Sequence, residues 1–232
     1  MFNGGETLVR KDAITFIERA KKLGYDVNLN TNSILLEHHL EVLQHLRSIS
    51  IPIDGITPET TLAMRPPVAT QHEFAFRAIK MLNREHPDIH LKLGTVVSGV
   101  NKHEIIPIGQ NVRERGLSVN TWKLYQYKSF GYRRNDPMKA KLTVPKENFQ
   151  DIVREAESQF PEWTVANLPN DTEGLYLLVR PDGSFTTEKD DEGNSEPHLG
   201  NLISDDRQQL IDVISATIDR AGEAAKIKRT YG

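Results

Sequence analysis

The feature that most constrains this chain is a repeated change of hydrophobic period along its first 130 residues, between alternation and helical spacing. Asp12 is placed to cap a helix with Ala13, Phe16, Ile17, Ala20 and Leu23 on one face, and Gly24 is placed to stop it. Residues 25–29 then alternate as a strand and run into the polar string Asn30-Thr31-Asn32-Ser33. A second helix carries Leu36, Leu40, Leu43 and Leu46, and residues 48–53 read as a strand ending at Asp54-Gly55. After a Pro-rich loop over 57–70 the pattern repeats. Residues 72–83 read as helix, 89–98 as strand, 104–115 as helix stopped by Gly116, and 119–127 as strand. Four strand–helix units with short connections predict an α/β fold with a parallel sheet and right-handed crossovers. A repeat of about 25 to 35 residues suits a partial or full barrel.

Beyond residue 130 the pattern changes, which predicts a barrel-like domain over 1–130 and a C-terminal α+β extension over 131–232. Residues 127–143 are basic and irregular, with Lys128, Arg133, Arg134, Lys139 and Lys141. Pro145 is placed to open a helix at its first position. Residues 164–167 and 175–180 read as strands. The turn Pro181-Asp182-Gly183 and a return strand from Phe185 make a hairpin. Residues 188–196 read as an acidic loop and 205–221 as a final amphipathic helix.

Composition narrows the chemistry. The 232 residues contain no cysteine, which excludes disulfides, thiolate zinc sites and cysteine nucleophiles within them. A net charge of -3 gives no support to a general DNA-binding role. No apolar run approaches the ~18 residues of a membrane span, and Met1 to Glu6 has neither the basic start nor the apolar centre of a signal peptide. Cytoplasm is therefore the expected location.

In parallel βα sheets ligands sit at the carboxyl ends of the strands. Gly4 and Gly5 there let a backbone approach a ligand closely or simply make a tight turn. Glu6 is suited to accept hydrogen bonds from an ammonium group, and Asn32 and Ser33 to meet ribose hydroxyls or a carboxylate. Arg65, ahead of two prolines, is a fork for a carboxylate or phosphate. Taken singly, each of these is more often turn, cap or surface chemistry. Their order at successive strand ends raises their interest. His38, His39 and His45 lack metal-ligand spacing.

Phe2-Asn3-Gly4-Gly5-Glu6, Asn30-Thr31-Asn32-Ser33 and Ile51-Pro52-Ile53-Asp54-Gly55 with Arg65 downstream resemble the radical S-adenosylmethionine (radical SAM) superfamily. Leu93-Gly94-Thr95-Val96-Val97 and Trp122-Lys123-Leu124-Tyr125-Gln126 are similar to its fifth and sixth strands, the latter to the viperin-like branch. The resemblance implies a partial (β/α)6 barrel lacking its first strand, with S-adenosylmethionine at the carboxyl face. On that basis Gly4, Gly5 and Glu6 hold the methionyl ammonium, Asn32 and Ser33 the ribose, and Arg65 the carboxylate. Asp54 lies near the sugar or substrate, Val96 and Val97 flank the adenine, and Gln126 and Lys128 face a small-molecule or nucleotide substrate. The family's [4Fe–4S] cluster needs a CxxxCxxC loop that is not in this sequence. The chain is accordingly expected to be a fragment, or a degenerate member, of an enzyme that generates a 5′-deoxyadenosyl radical, and to be inactive alone. Two other readings stay open: a cluster-free S-adenosylmethionine or nucleotide binder, and an unrelated β/α-barrel lyase or isomerase using Glu6, Asp54 or Lys92 as acid–base groups.

Overall fold

A computed structural model describes residues 1–2, 5–129, 139–168, 177–180, 182–187 and 198–216. The backbone divides into two compact units, Met1–Asn170 and Asp171–Gly232.

In the first unit, strands β1 (Asn28–Asn30), β2 (Ser48–Pro52), β3 (His90–Val97), β4 (Thr121–Gln126) and β5 (Thr164–Leu168) form a five-stranded parallel sheet in chain order. Phe2 adds a single parallel bridge outside β1. Its N–H donates to the Asn28 carbonyl at 2.7 Å, and its carbonyl accepts from Asn30 N at 3.0 Å. The helices are α1 (Ala13–Lys22), α2 (Pro58–Met64), α3 (Gln71–Glu85), α4 (Ile105–Glu114), α5 (Lys139–Leu142) and α6 (Lys146–Gln159).

Strand alternation sorts the sheet into two unlike faces. Ile49 and Ile51 of β2, Leu91, Leu93 and Val97 of β3, and Trp122 and Leu124 of β4 share one core with Ile17 of α1, Ala75 and Ile79 of α3, Ile108 of α4 and Phe149 of α6. Each fully buried aliphatic chain of this kind contributes about 1.5–3 kcal/mol. The register sets Leu93 opposite Trp122 and Lys92 opposite Thr121. The other face therefore carries Asn28, Asn30, Ser48, Ser50, Lys92 and Lys123. One side of the sheet is mainly hydrocarbon and the other mainly polar.

Several expectations change here. The second helix is two 3₁₀ segments, Leu36–His38 and Leu40–His45, because His39 at φ -137°, ψ 38° interrupts the helical path between them. Leu36, Val42, Leu43 and Leu46 still bury, while Leu40 is exposed. Along α1, Phe16 lies outside the buried stripe of Ala13 and Ile17, with the Arg10 guanidinium 5.1 Å from its ring centre. Part of the Pro-rich loop is α2, which Thr57 caps by accepting the Thr60 N–H at 3.3 Å. Residue 130 is not where the first unit ends. Helix α6 buries Phe149, Val153 and Ala156 in its core, and β5 pairs in parallel with β4, so the unit runs to Asn170.

The second unit contains an antiparallel sheet of β6 (Leu177–Val179), β7 (Ser184–Thr187) and β8 (His198–Asn201). The expected hairpin is β6–β7, and Gly183 at φ +83° supplies the left-handed turn residue. Strand β8 is an addition to the sequence reading. Residues 207–216 are helical. The acidic stretch 188–196 and the basic residues Arg133 and Arg134 lie outside the described residues.

Candidate functional site

Glu6 follows the Phe2 bridge and reaches the segment after β1. Its Oε1 accepts from Thr31 Oγ1 at 2.8 Å and Leu8 N at 3.1 Å, and its Oε2 accepts from Asn32 N at 2.6 Å. Each oxygen of a carboxylate offers about two acceptor positions, so Oε2 retains one after this. Glu6 thus first orders the Asn32 loop. Gly5 beside it is exposed at φ +57°, and a Cβ added there would meet nothing within 4 Å, while Gly4 lies outside the described residues.

Asn32 and Ser33 turn the chain away from β1. Asn32 Oδ1 accepts the Ile34 N–H at 3.0 Å, the local side-chain turn expected of Asn. Ser33 sits at φ +66°, a left-handed conformation that costs a residue with a Cβ about 1–2 kcal/mol. Its hydroxyl donates to the Asn32 carbonyl at 2.6 Å. Gln71, the first residue of α3, ties this loop to the next strand, its amide nitrogen donating to Asn32 O at 3.1 Å and Pro52 O at 3.2 Å. The ends of β1 and β2 are held as one rim.

Asp54 stands at the end of β2 and is 3% exposed. Its Oδ1 accepts the Val96 N–H at 2.6 Å, and its Oδ2 accepts the Arg65 Nε–H. Because Arg65 spends only Nε on Asp54, its two terminal nitrogens have no acceptor among the described residues. The loop after β3 braces this pair. Asn101 Nδ2 donates to Asp54 O at 2.8 Å and Val96 O at 2.7 Å, and its Oδ1 accepts from Ser98 N at 2.7 Å.

Two assignments are corrected by strand parity. Val97 is fully buried in the helix-side core and does not face the polar side; Val96 does, packed with Met64, Tyr127 and Leu142. Gln126 shares the face of Trp122 and Leu124, and its amide donates to Val144 O at 3.0 Å, so it points toward the helices and not toward the polar face. Lys128 lies just past the end of β4, half-buried.

The polar face has a charge of its own. Lys92 Nζ donates to Ser48 Oγ at 2.8 Å and Asn28 Oδ1 at 3.3 Å. Burial holds the Lys92 ammonium below its ordinary pKa, and Lys123 lowers it further; burial alone lowers Lys123. Neither lysine pairs with a carboxylate among the described residues. Lys123 escaped the sequence reading although its neighbours gave the signal: an apolar Trp122 and Leu124 on either side put it on the opposite face.

The family pattern of the Radical SAM superfamily matches residues 1–110. The match spans just under half of the chain, which is similar to that superfamily over those residues. A relative named "Probable GTP 3',8-cyclase" from Methanothermobacter thermautotrophicus is 28% identical over 134 residues, covering 55% of this chain and 42% of the relative. One of the same name from Methanothermobacter marburgensis is 26% identical over 126 residues, covering 53% and 40%. The chain thus spans about two-fifths of the length of these relatives. A domain of pyruvate-formate lyase-activating enzyme from Bacteroides vulgatus is similar in structure, with a TM-score of 0.56 at 16% identity over 72% of this chain and 96% of that one. This likeness shows a shared α/β fold.

Radical SAM proteins use S-adenosylmethionine and a [4Fe–4S] cluster held by thiolates. The residues of this chain do not fit the cluster, since none of the 232 is cysteine. Toward S-adenosylmethionine the chain offers a guanidinium docked on Asp54 with terminal nitrogens that have no acceptor among the described residues, and, on the loop after β1, a carboxylate with a spare acceptor position.

Proposed function

We propose that this chain is the S-adenosylmethionine-binding portion of a radical SAM enzyme whose substrate is anionic. Arg65 meets the methionyl carboxylate through its terminal nitrogens, Glu6 and the Gly5 backbone meet the ammonium, and Asn32 and Ser33 meet the ribose. The observation that carries this reading is the Asp54–Arg65 pair, which fixes the guanidinium at Nε and leaves its fork unspent. A buried carboxylate with a second bond to the backbone is a rigid anchor for such a fork.

Lys92 and Lys123 on the polar face are the groups for the substrate's negative charge. Two cations desolvated beside one another are costly until an anion joins them, so the face favours a phosphate-bearing or carboxylate-bearing molecule. A nucleotide satisfies that chemistry, in keeping with the name carried by the two Methanothermobacter relatives. The cysteine ligands that the cluster of this superfamily needs are not in this sequence.

Calorimetric titration with S-adenosylmethionine tests the reading. Saturable binding is expected, weakened by about tenfold or more in Arg65→Ala, since a charge-assisted bidentate contact is lost. Equal affinity in wild type and Arg65→Ala would overturn it. The second reading is a cluster-free S-adenosylmethionine binder. Joining a CxxxCxxC loop ahead of Phe2 and reconstituting iron and sulfide separates the two: 5′-deoxyadenosine under reduction marks the enzyme, and its absence marks the binder.

A further inference from the structure

Glu104 is a carboxylate that neither the fold nor the rim accounts for at first sight. It stands just before α4, 5% exposed, and makes none of its side-chain bonds within α4. Instead it crosses to the segment after β2. Oε2 accepts the Ile56 N–H at 2.7 Å, while Oε1 accepts from Thr57 Oγ1 at 2.8 Å and Thr60 Oγ1 at 2.7 Å. Those three donors are the lead-in to α2 and its first turn, and the residue that ends α2 is Arg65.

The same short helix is pressed against the chain beneath it. A Cβ on Gly55 would lie 2.8 Å from Thr60 Cγ2, and Thr61 Oγ1 donates to the Gly55 carbonyl at 3.2 Å. A seven-residue helix has little stability of its own. Its position is therefore set by what grips its first turn and lead-in, and Glu104 holds the lead-in at Ile56 and the turn at Thr57 and Thr60.

We infer that Glu104 is the positioning residue for Arg65: it fixes the start of α2 so that the guanidinium at its end stays docked on Asp54. This rests on the proposed role of Arg65 in binding S-adenosylmethionine, but its geometry is present in the free protein. Glu104 touches no ligand in this scheme. It acts through α2.

The test has two arms on the full chain. The first is hydrogen exchange of the Arg65 Nε–H by ¹⁵N NMR without ligand. Glu104→Gln keeps the shape but presents an amide N–H₂ to donors, and is expected to speed exchange by about tenfold. Thr60→Val, which removes one of the three bonds and keeps the methyl against Gly55, is expected to give a smaller increase and guards against a Glu104→Gln protein that does not fold. Unchanged exchange in both variants would overturn the inference, whatever the fate of the binding site.

The second arm compares S-adenosylmethionine with 5′-methylthioadenosine, which lacks the amino-acid portion. Glu104→Gln is expected to weaken the first by about tenfold and the second by less than about twofold. Equal loss of both would mean general loosening and would reject the positioning role. Failure of wild type to bind S-adenosylmethionine, with the exchange effect present, would reject the site assignment while leaving the Glu104–Arg65 coupling in place.

Discussion

Asp54 and Arg65 lie 11 positions apart in sequence and meet as an ion pair in which the acid is buried and the base is about one-third exposed. The acid's second oxygen holds the Val96 amide, so it joins β2 to β3 as well as to α2. Asp54→Asn sets an amide N–H₂ against one of two donors and is expected to destabilise the chain by about 1–3 kcal/mol. Arg65→Ala is expected to cost less, because solvent already screens the guanidinium. Urea denaturation of the two variants measures this order, and a reversed order would contradict the account of Asp54 as the joint.

Glu104 gives an acid-side pH dependence. Burial raises its pKa, but the bonds from Thr60, Ile56 and Thr57 outweigh that, and the net shift is downward from 4.5. A carboxylate with a lowered folded pKa contributes stability that is complete above the unfolded value and is lost as pH falls through the folded one. The stability difference between wild type and Glu104→Gln is therefore expected to shrink as the solution is acidified below the ordinary glutamate value. A difference that stays flat down to acid unfolding would show that the shift is absent.

Lys123 should trade stability for binding. Its ammonium is desolvated and repels Lys92, so Lys123→Met is expected to leave the ligand-free chain as stable as wild type or more so at pH 7. The same substitution should weaken binding of inorganic triphosphate by about tenfold in low salt. The lowered lysine pKa values add a sign: wild-type affinity should fall with rising pH earlier than at an ordinary lysine site, because the anion needs the protonated form. Thermal melts and calorimetry between neutral and alkaline pH read both. A destabilised Lys123→Met with unchanged triphosphate affinity would remove the polar face from consideration.

Gly109 on α4 is a packing prediction independent of function. A Cβ there would overlap Phe160 Cζ and sit 2.8 Å from Trp122 Cζ3, inside a cluster where Phe160 and Trp163 stack at 4.9 Å. Gly109→Ala is expected to cost about 1–3 kcal/mol by overpacking. Both tryptophans of the chain belong to that cluster, so their fluorescence should shift with the substitution. An unchanged spectrum and urea midpoint would mean that the cluster relaxes freely.

Much of the fold is legible in the chain because it is written locally. Parallel strands at β2, β3 and β4 follow from runs such as Ile49/Ile51 and Leu91/Leu93, and the strand-end residues Asn32 and Asp54 follow from where the strand runs stop. Glu6 and Asn32 meet through the Asn32 N–H, a contact by which Glu6 organises the loop after β1. The face of each side chain is harder to read. Gln126 has the same parity as Trp122 and Leu124, and that parity sets it with the core despite the polar character of glutamine. Val97 fails as a ligand contact for the same reason.

Other features depend on partners far along the chain. Glu104 bonds residues 44 to 48 positions away, and nothing in its neighbourhood distinguishes it from an ordinary helix-start acid. The fifth strand resembles part of a separate tail because the sequence between it and β4 is basic and irregular; its place beside β4 depends on α6 covering the sheet. The break at His39 comes from backbone angles that its residue type does not announce.

The division of the sheet into a hydrocarbon side and a polar side lets selection act on each with little reference to the other. Exchanges at Ser50, Lys92 or Lys123 alter what a guest molecule meets without opening a void among Ile51, Leu93 and Trp122. A scaffold of this kind can change its client by swapping a handful of inward residues while its folding determinants stand still.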